Sequence, residues 1–141
     1  MKSLHTLIQL AQQELDGLRN DINVYLDKRA EIEVHNNTLD DSLENERHVV
    51  EQDASTAQDY ANYALMVRIK KENNNKIIST LNQNINVISE KISEAYAVLK
   101  TYELLLEKKQ QEQLAEDNLR EQKEVDELTQ QRFQHDNTAS T

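Results

Sequence analysis

Ile78, Leu81, Ile85, Ile88, Ile92, Ala95, Leu99, Tyr102 and Leu106 follow one another at steps of three and four without a miss. That spacing lines a single stripe of an α-helix. A stripe so narrow, held over four heptads, is a coiled-coil seam and not the wider apolar face of a globular helix. Ile78, Ile85, Ile92, Leu99 and Leu106 take heptad position a, and Leu81, Ile88, Ala95 and Tyr102 take position d. A seam by itself fits any coiled coil, so function has to be read from what surrounds it.

The same frame, run backwards, meets a second seam. Position a reads Ile8, Leu15, Ile22, Arg29, Asn36, Leu43 and Val50; position d reads Leu4, Ala11, Leu18, Tyr25, Ile32 and Leu39. Between the two lies a poorer stretch (Asp53, Ala57, Tyr60, Ala64, Val67, Lys71, Asn74), weakest over residues 51–58. Ser55 with Gln58, or Thr56 with Asp59, has the spacing of a capping box that would open a new helix there. Composition permits long helices: no proline and one glycine, Gly17, in 141 residues, so almost nothing interrupts the backbone hydrogen bonds. With 37% hydrophobic and 30% charged residues, a compact core is out of reach, whereas a seam needs little apolar content. The unbroken repeat argues against disorder.

Two architectures fit. One is a single helix of about 150 Å for ~100 residues, pairing with a copy of itself. The other is an antiparallel hairpin turning near Ser55, in which residue i faces roughly residue 110 − i and every a layer meets a d layer. The hairpin sets Leu4 against Leu106, Leu15 against Ala95, Ile32 against Ile78 and Leu43 against Val67, with apolar residues on both sides. Charge decides between them. Residues 30–60 hold nine acidic residues and one basic; residues 61–102 hold six basic and three acidic. Folding at Ser55 lays Glu33, Asp40, Asp41 and Glu44 beside Lys76, Lys70, Arg68 and, loosely, Lys71. A parallel rod instead stacks Arg29, Glu46, Asp53 and Lys71 each against its own copy, which like-charge repulsion disfavours. The polar layers Arg29 and Asn36–Asn74 are suited to setting register.

The expected fold is therefore all-α: an elongated two-helix antiparallel coiled-coil hairpin with a C-terminal single-helix overhang. One domain spans residues 1–133, with helix at about 3–50, a turn at about 51–58 and helix at about 59–133. The first helix begins near Met1 and covers the second only to about residue 108. The apolar stripe stops at Leu106, and the polar, helix-favouring sequence beyond it predicts the overhang. Residues 134–141 read as a disordered tail.

Several function classes recede. There is no cysteine, hence no disulfide framework or thiol chemistry. No signal-peptide run opens the chain and no 18 apolar residues follow one another. A formal charge of −10 makes nucleic acid and anionic lipid poor partners and basic protein surfaces better ones. Glu31 with His35 and Glu44 with His48 sit one helical turn apart but lack further metal ligands. One glycine cannot build a phosphate loop, and no nucleophile has a base beside it. No catalytic, cofactor or metal site is expected. Two apolar groups remain: Leu7, Leu10, Leu104 and Leu105, off the seam toward the chain termini, and Tyr60, Tyr63, Leu65, Met66 and Ile69 just past the turn, of which Tyr60 alone is on the seam. The plainer reading is a locally widened seam and a capped turn; the functional one is a pair of docking surfaces.

Four blocks resemble the flagellar FliJ family, in its short alphaproteobacterial form: residues 1–10 (MKSLHTLIQL), residues 59–64 (DYANYA), residues 94–103 (EAYAVLKTYE) and residues 120–128 (REQKEVDEL). The resemblance covers almost the whole chain, and its last block falls in the overhang, where the seam cannot account for it. It implies a non-catalytic two-helix stalk of the flagellar type III protein export apparatus, similar to the stalk subunit of rotary ATPases. The implied partners are the hexameric export ATPase, the cytoplasmic domain of the export gate and substrate chaperones. The implied location is cytoplasmic, reaching the membrane only through partners. Carried over residue by residue, the gate-contacting segment falls on Tyr60, Tyr63 and Val67, while Lys70 and Asn74 depart from the family pattern. The ATPase end falls on Leu4, Leu7, Leu10, Leu104, Leu105, Arg120, Lys123 and Asp126. Alternatives are the equivalent stalk of a virulence-type secretion system and a purely structural homodimeric scaffold.

Overall fold

The computed structural model describes residues 3–139. Residues 1–2, at the start of the first predicted segment, and residues 140–141, in the predicted tail, lie outside the described residues. Helix α1 spans Leu4–Gln52, one 3-10 turn follows at Ala54–Thr56, and helix α2 spans Ala57–Ala139. The described residues are nearly all helical, the two helices pack against each other, and no strand is present among them. A single continuous helix is thereby excluded.

Local signals set the ends. Ser3 opens α1: its carbonyl accepts the first helical bond, from the Leu7 N–H at 3.1 Å, and its Oγ accepts the Thr6 N–H at 3.2 Å, meeting one donor that the first turn leaves unpaired. Asp53 breaks the helix by taking an extended backbone, φ −142° and ψ 98°. Its Oδ1 accepts the Ser55 N–H at 3.1 Å and the Ser55 hydroxyl at 2.7 Å, and its carbonyl accepts the Thr56 hydroxyl at 2.8 Å. The cap is therefore Asp53, not the capping boxes expected at Ser55 or Thr56. A carboxylate two residues before a free N–H reaches it more directly than a hydroxyl within the turn does. Those two Ser55 donors, the hydroxyl first, hold the Asp53 carboxyl below the usual carboxylate range.

At the other end, α2 runs on to Ala139, so the expected tail is helical through that residue. Neither glycine nor proline occurs beyond Phe133 to stop it, and the Thr138 hydroxyl turns inward to the His135 carbonyl at 2.8 Å.

Two compact units arise from these elements, one joining residues 1–11 with 97–141 and the other spanning residues 12–96. In the 12–96 unit the core is Leu15, Ile32 and Leu39 of α1 with Val67, Leu81 and Ala95 of α2; Leu15 and Val67 are each 1% exposed. The remaining a and d residues from Leu18 to Leu43 and from Tyr60 to Ile92 are half-buried. Full burial is confined to a few side chains because two helices cover only a strip of each other. Each covered Leu or Val still contributes about 1.5–3 kcal/mol.

Polar bonds cross between the helices of this unit in reversed order. Arg29 Nη1 donates to Asn82 at 2.9 Å, Asn74 Nδ2 to Asn36 at 2.8 Å, Asn36 Nδ2 to Asn75 at 3.1 Å, and Lys71 Nζ to Asp40 at 2.6 Å. Partner numbers fall on α2 as they rise on α1. Lys71, not Lys70, takes Asp40, and the other expected flanking pairs give way to partners within one helix. Arg68 binds Glu72 at 3.3 Å, Glu33 lies 3.9 Å from Arg29, and Glu44 binds Arg47 at 2.6 Å. Neighbours one turn away need no precise alignment of two helices, which is why they win on exposed faces.

In the unit of residues 1–11 and 97–141, Ala11 and Leu99 are buried, and Leu4, Leu7, Ile8, Tyr102, Glu103 and Leu106 are half-buried. Every residue from Glu107 to Thr138 is exposed. The seam frame explains the change, since its positions there read Lys109, Gln113, Glu116, Arg120, Lys123 and Glu127. At 1.5 Å per residue this lone helix is about 48 Å long.

Candidate functional site

The residues expected to bind partners fall into two groups, one in each unit. In the 12–96 unit, Tyr60 and Tyr63 are half-buried and Val67 is buried. Val67 occupies a seam position and shares a groove with Leu43 and Ala64, so it packs the hairpin and cannot be a surface contact; that expectation is corrected. The exposed apolar side chains nearby on α2 are Leu65, Met66 and Ile69. A partner approaching this segment meets the edges of the two tyrosines together with those three.

In the other unit the expected residues differ in depth. Leu4 is half-buried and lines a groove with Leu106 and Lys109; Leu7 is also half-buried. Leu10, Leu104 and Leu105 are exposed. Arg120, Lys123 and Asp126 stand on the lone helix, all exposed. Arg120 Nη2 lies 3.3 Å from Asp117, which also accepts from Gln113 at 3.0 Å. Leu114, Leu119, Val125, Leu128 and Phe133 add large exposed apolar groups along the same segment. An unpaired helix this long, with charges and apolar groups alternating around it, offers a surface to another protein and no enclosed space for chemistry.

The histidines of the two histidine–glutamate pairs have the following neighbours. His48 meets Glu44 through Nε2 and Glu51 through Nδ1, each at 3.5 Å. Opposite edges of one ring cannot chelate the same ion. His35 Nδ1 lies 2.9 Å from the Asn74 amide. No cluster of three or more His, Cys, Asp or Glu able to hold a metal occurs among the described residues. None of the described helices is long and apolar enough to cross a membrane.

Comparison with protein families matches residues 1–138 of the 141-residue chain to the family described as flagellar FliJ protein. The chain belongs to the FliJ family. It is thus a component related to flagellar protein export, from a family that is non-enzymatic and works in a complex with other proteins. Comparison with curated proteins and with solved structures finds no match. The FliJ match runs through the lone helix as well as through the paired seam. The match therefore includes residues 107–138, all of which are exposed.

One feature of this FliJ chain escapes a reading confined to the seam. Of the exposed apolar side chains on the 12–96 unit, Val24, Val49, Met66, Ile77 and Val87 share one flank, at heptad positions c and g, while Val34, Leu65, Ile69 and Tyr96 stand elsewhere around the pair. These positions form no repeat in the sequence, and only the packed pair of helices shows that Val24 and Val87 border one groove.

Proposed function

We propose that this chain is a non-catalytic central stalk and coupling component of the flagellar type III export apparatus. Residues 1–133 act as an antiparallel two-helix coiled-coil hairpin whose second helix continues as an overhang. The reversed order of the cross-helix bonds in the 12–96 unit supports the antiparallel arrangement. Leu4 and Leu106, sharing one groove in the other unit, support it as well. The reading rests above all on residues 107–138: every side chain there is exposed, yet the family pattern continues to residue 138. An exposed helical surface of this length, inside the family match, is one that a partner can read.

In this proposal Leu4, Leu7, Leu10, Leu104 and Leu105, with Arg120, Lys123 and Asp126, engage the hexameric export ATPase. Tyr60 and Tyr63 engage the cytoplasmic domain of the export gate, with Val67 beneath them as packing. Substrate chaperones bind the remaining exposed helix faces. The protein works in the cytoplasm and meets the membrane only through these partners.

The test is capture of the purified hexameric ATPase by the full chain, with turnover measured alongside. Wild type binds and stimulates turnover; Arg120→Ala/Lys123→Ala/Asp126→Ala loses both while keeping its helix content. Tyr60→Ala/Tyr63→Ala keeps the ATPase and loses the gate domain. Failure of wild type to bind the ATPase at low salt overturns the proposal.

A further inference from the structure

The two flanks of the 12–96 unit are unlike. On one side, formed by heptad positions b and e, the helices are tied by polar groups. Arg29 reaches Asn82, Asn36 reaches Asn75, and Lys71 reaches Asp40. The groove on that side is walled by Asp40, Arg68, Lys71 and Glu72. On the other side, formed by positions c and g, a groove runs between Val24 and Val87 over a floor of Leu18, Tyr25 and Ile88. Val24 is 66% exposed and Val87 52% exposed. Val49, Met66 and Ile77 stand at the same heptad positions nearer the turn, with Lys28, His35, Ser42 and Lys70 set between them.

We propose that a second copy of the chain covers this flank, forming a four-helix interface between two hairpins. The rim charges argue for that occupant. Asp21 stands on the α1 wall of the groove and Lys91 on the α2 wall, one acid and one base at the same level. A two-fold axis along the hairpin brings α1 of each copy against α2 of the other, so each surface must complement itself. Asp21 then meets Lys91 of the second copy, Val24 meets its Val87, and Val49 meets its Tyr63. Each contact occurs twice. The other facing g positions, Lys28 with Asn84, His35 with Ile77 and Ser42 with Lys70, bring no like charges together. On the opposite flank the polar ties within one chain already occupy Asp40 and Lys71, and its exposed apolar side chains, Leu65 and Tyr96, lie far apart along α2.

This interface does not require the stalk reading, but it has a consequence for it. Tyr63 lies on the covered flank, so self-association and gate binding through Tyr63 exclude each other.

Sedimentation of the full chain over a range of concentrations tests the interface, with circular dichroism confirming that each variant stays helical. Wild type moves from monomer to dimer with rising concentration. Asp21→Lys or Lys91→Asp alone weakens the dimer about tenfold; the two together restore it. Val24→Asp/Val87→Asp leaves a helical monomer. A wild type that stays monomeric throughout overturns the proposal. So does a dimer indifferent to the valine pair, or a charge reversal that the second substitution fails to rescue. Binding of the export ATPase by the helical monomer separates this interface from the proposed stalk role.

Discussion

Asn74 donates its side-chain amide to Asn36 at 2.8 Å, joining the two helices through a half-buried polar layer. Asn36 passes its own amide to Asn75, and Asn74 Nδ2 also lies 2.9 Å from His35 Nδ1. An apolar layer at the same place would be more stable in a coiled coil but indifferent to sliding by one heptad. The amide pair is satisfied in one register only, because any shift leaves a half-buried amide without a partner.

Replacing one asparagine and replacing both should therefore differ in sign. Asn36→Leu alone removes one of the two acceptors beside the Asn74 amide and the donor to Asn75, and costs about 1 kcal/mol. Asn36→Leu/Asn74→Leu raises the thermal midpoint but admits a second register. Thermal unfolding measures the first effect, and doubled backbone amide peaks in a nitrogen–proton spectrum report the second.

Truncation should separate seam from overhang sharply. Leu15→Ala or Leu81→Ala removes a buried side chain and costs about 2–5 kcal/mol. Leu119→Ala or Leu128→Ala, on the fully exposed segment, stays within about 0.5 kcal/mol. Urea denaturation of the four variants gives both figures.

Gly17 sits inside α1, and a Cβ built there meets nothing within 4 Å. Alanine adds no clash and removes the conformational freedom that glycine has in the unfolded chain. Gly17→Ala should stabilise by about 0.5–1 kcal/mol, read as a higher urea midpoint with an unchanged slope.

The turn should be sensitive to acid. Ser55 holds the Asp53 carboxyl below its ordinary range, so the folded state binds that proton less readily than the unfolded state does. The contribution is fully present above the ordinary Asp value of about 3.9 and is lost as pH falls through the lower folded value. Asp53→Asn keeps an acceptor for the Ser55 N–H but has no proton to take up there. The stability gap between wild type and this variant should narrow on acidification below about pH 4, followed by thermal unfolding across that range.

The cross-helix pair Asp40–Lys71 should contribute modestly, since both groups are at least a third exposed. A double-mutant cycle with alanine should give a coupling of about 0.2–1 kcal/mol, shrinking as salt is added.

Much of this was legible in one dimension because a heptad repeat states which residues face a partner helix. Ile78 to Leu106 is unmistakable, and the same frame picks out Leu15, Leu39, Asn36 and Asn74 without reference to coordinates. The absence of proline and the single glycine permit long helices, and the loss of apolar seam positions after Leu106 marks where the exposed stretch of α2 begins. The proposed contacts at Tyr60 and Tyr63 came from family resemblance, since half-buried tyrosines at seam and flank positions have no periodicity that separates binding from packing. Val67 shows the difficulty: it was expected at a contact and is core. What only the tertiary structure decided lies off the seam. It chose Asp53 over two capping boxes, gave Asp40 to Lys71 in place of Lys70, kept Arg68 with Glu72, and left the Val24–Val87 flank bare. The reason is that period alone sets facing but not stagger. Whether a long flanking side chain crosses to the other helix or turns to its own is decided by shifts of a few ångströms between the two helices.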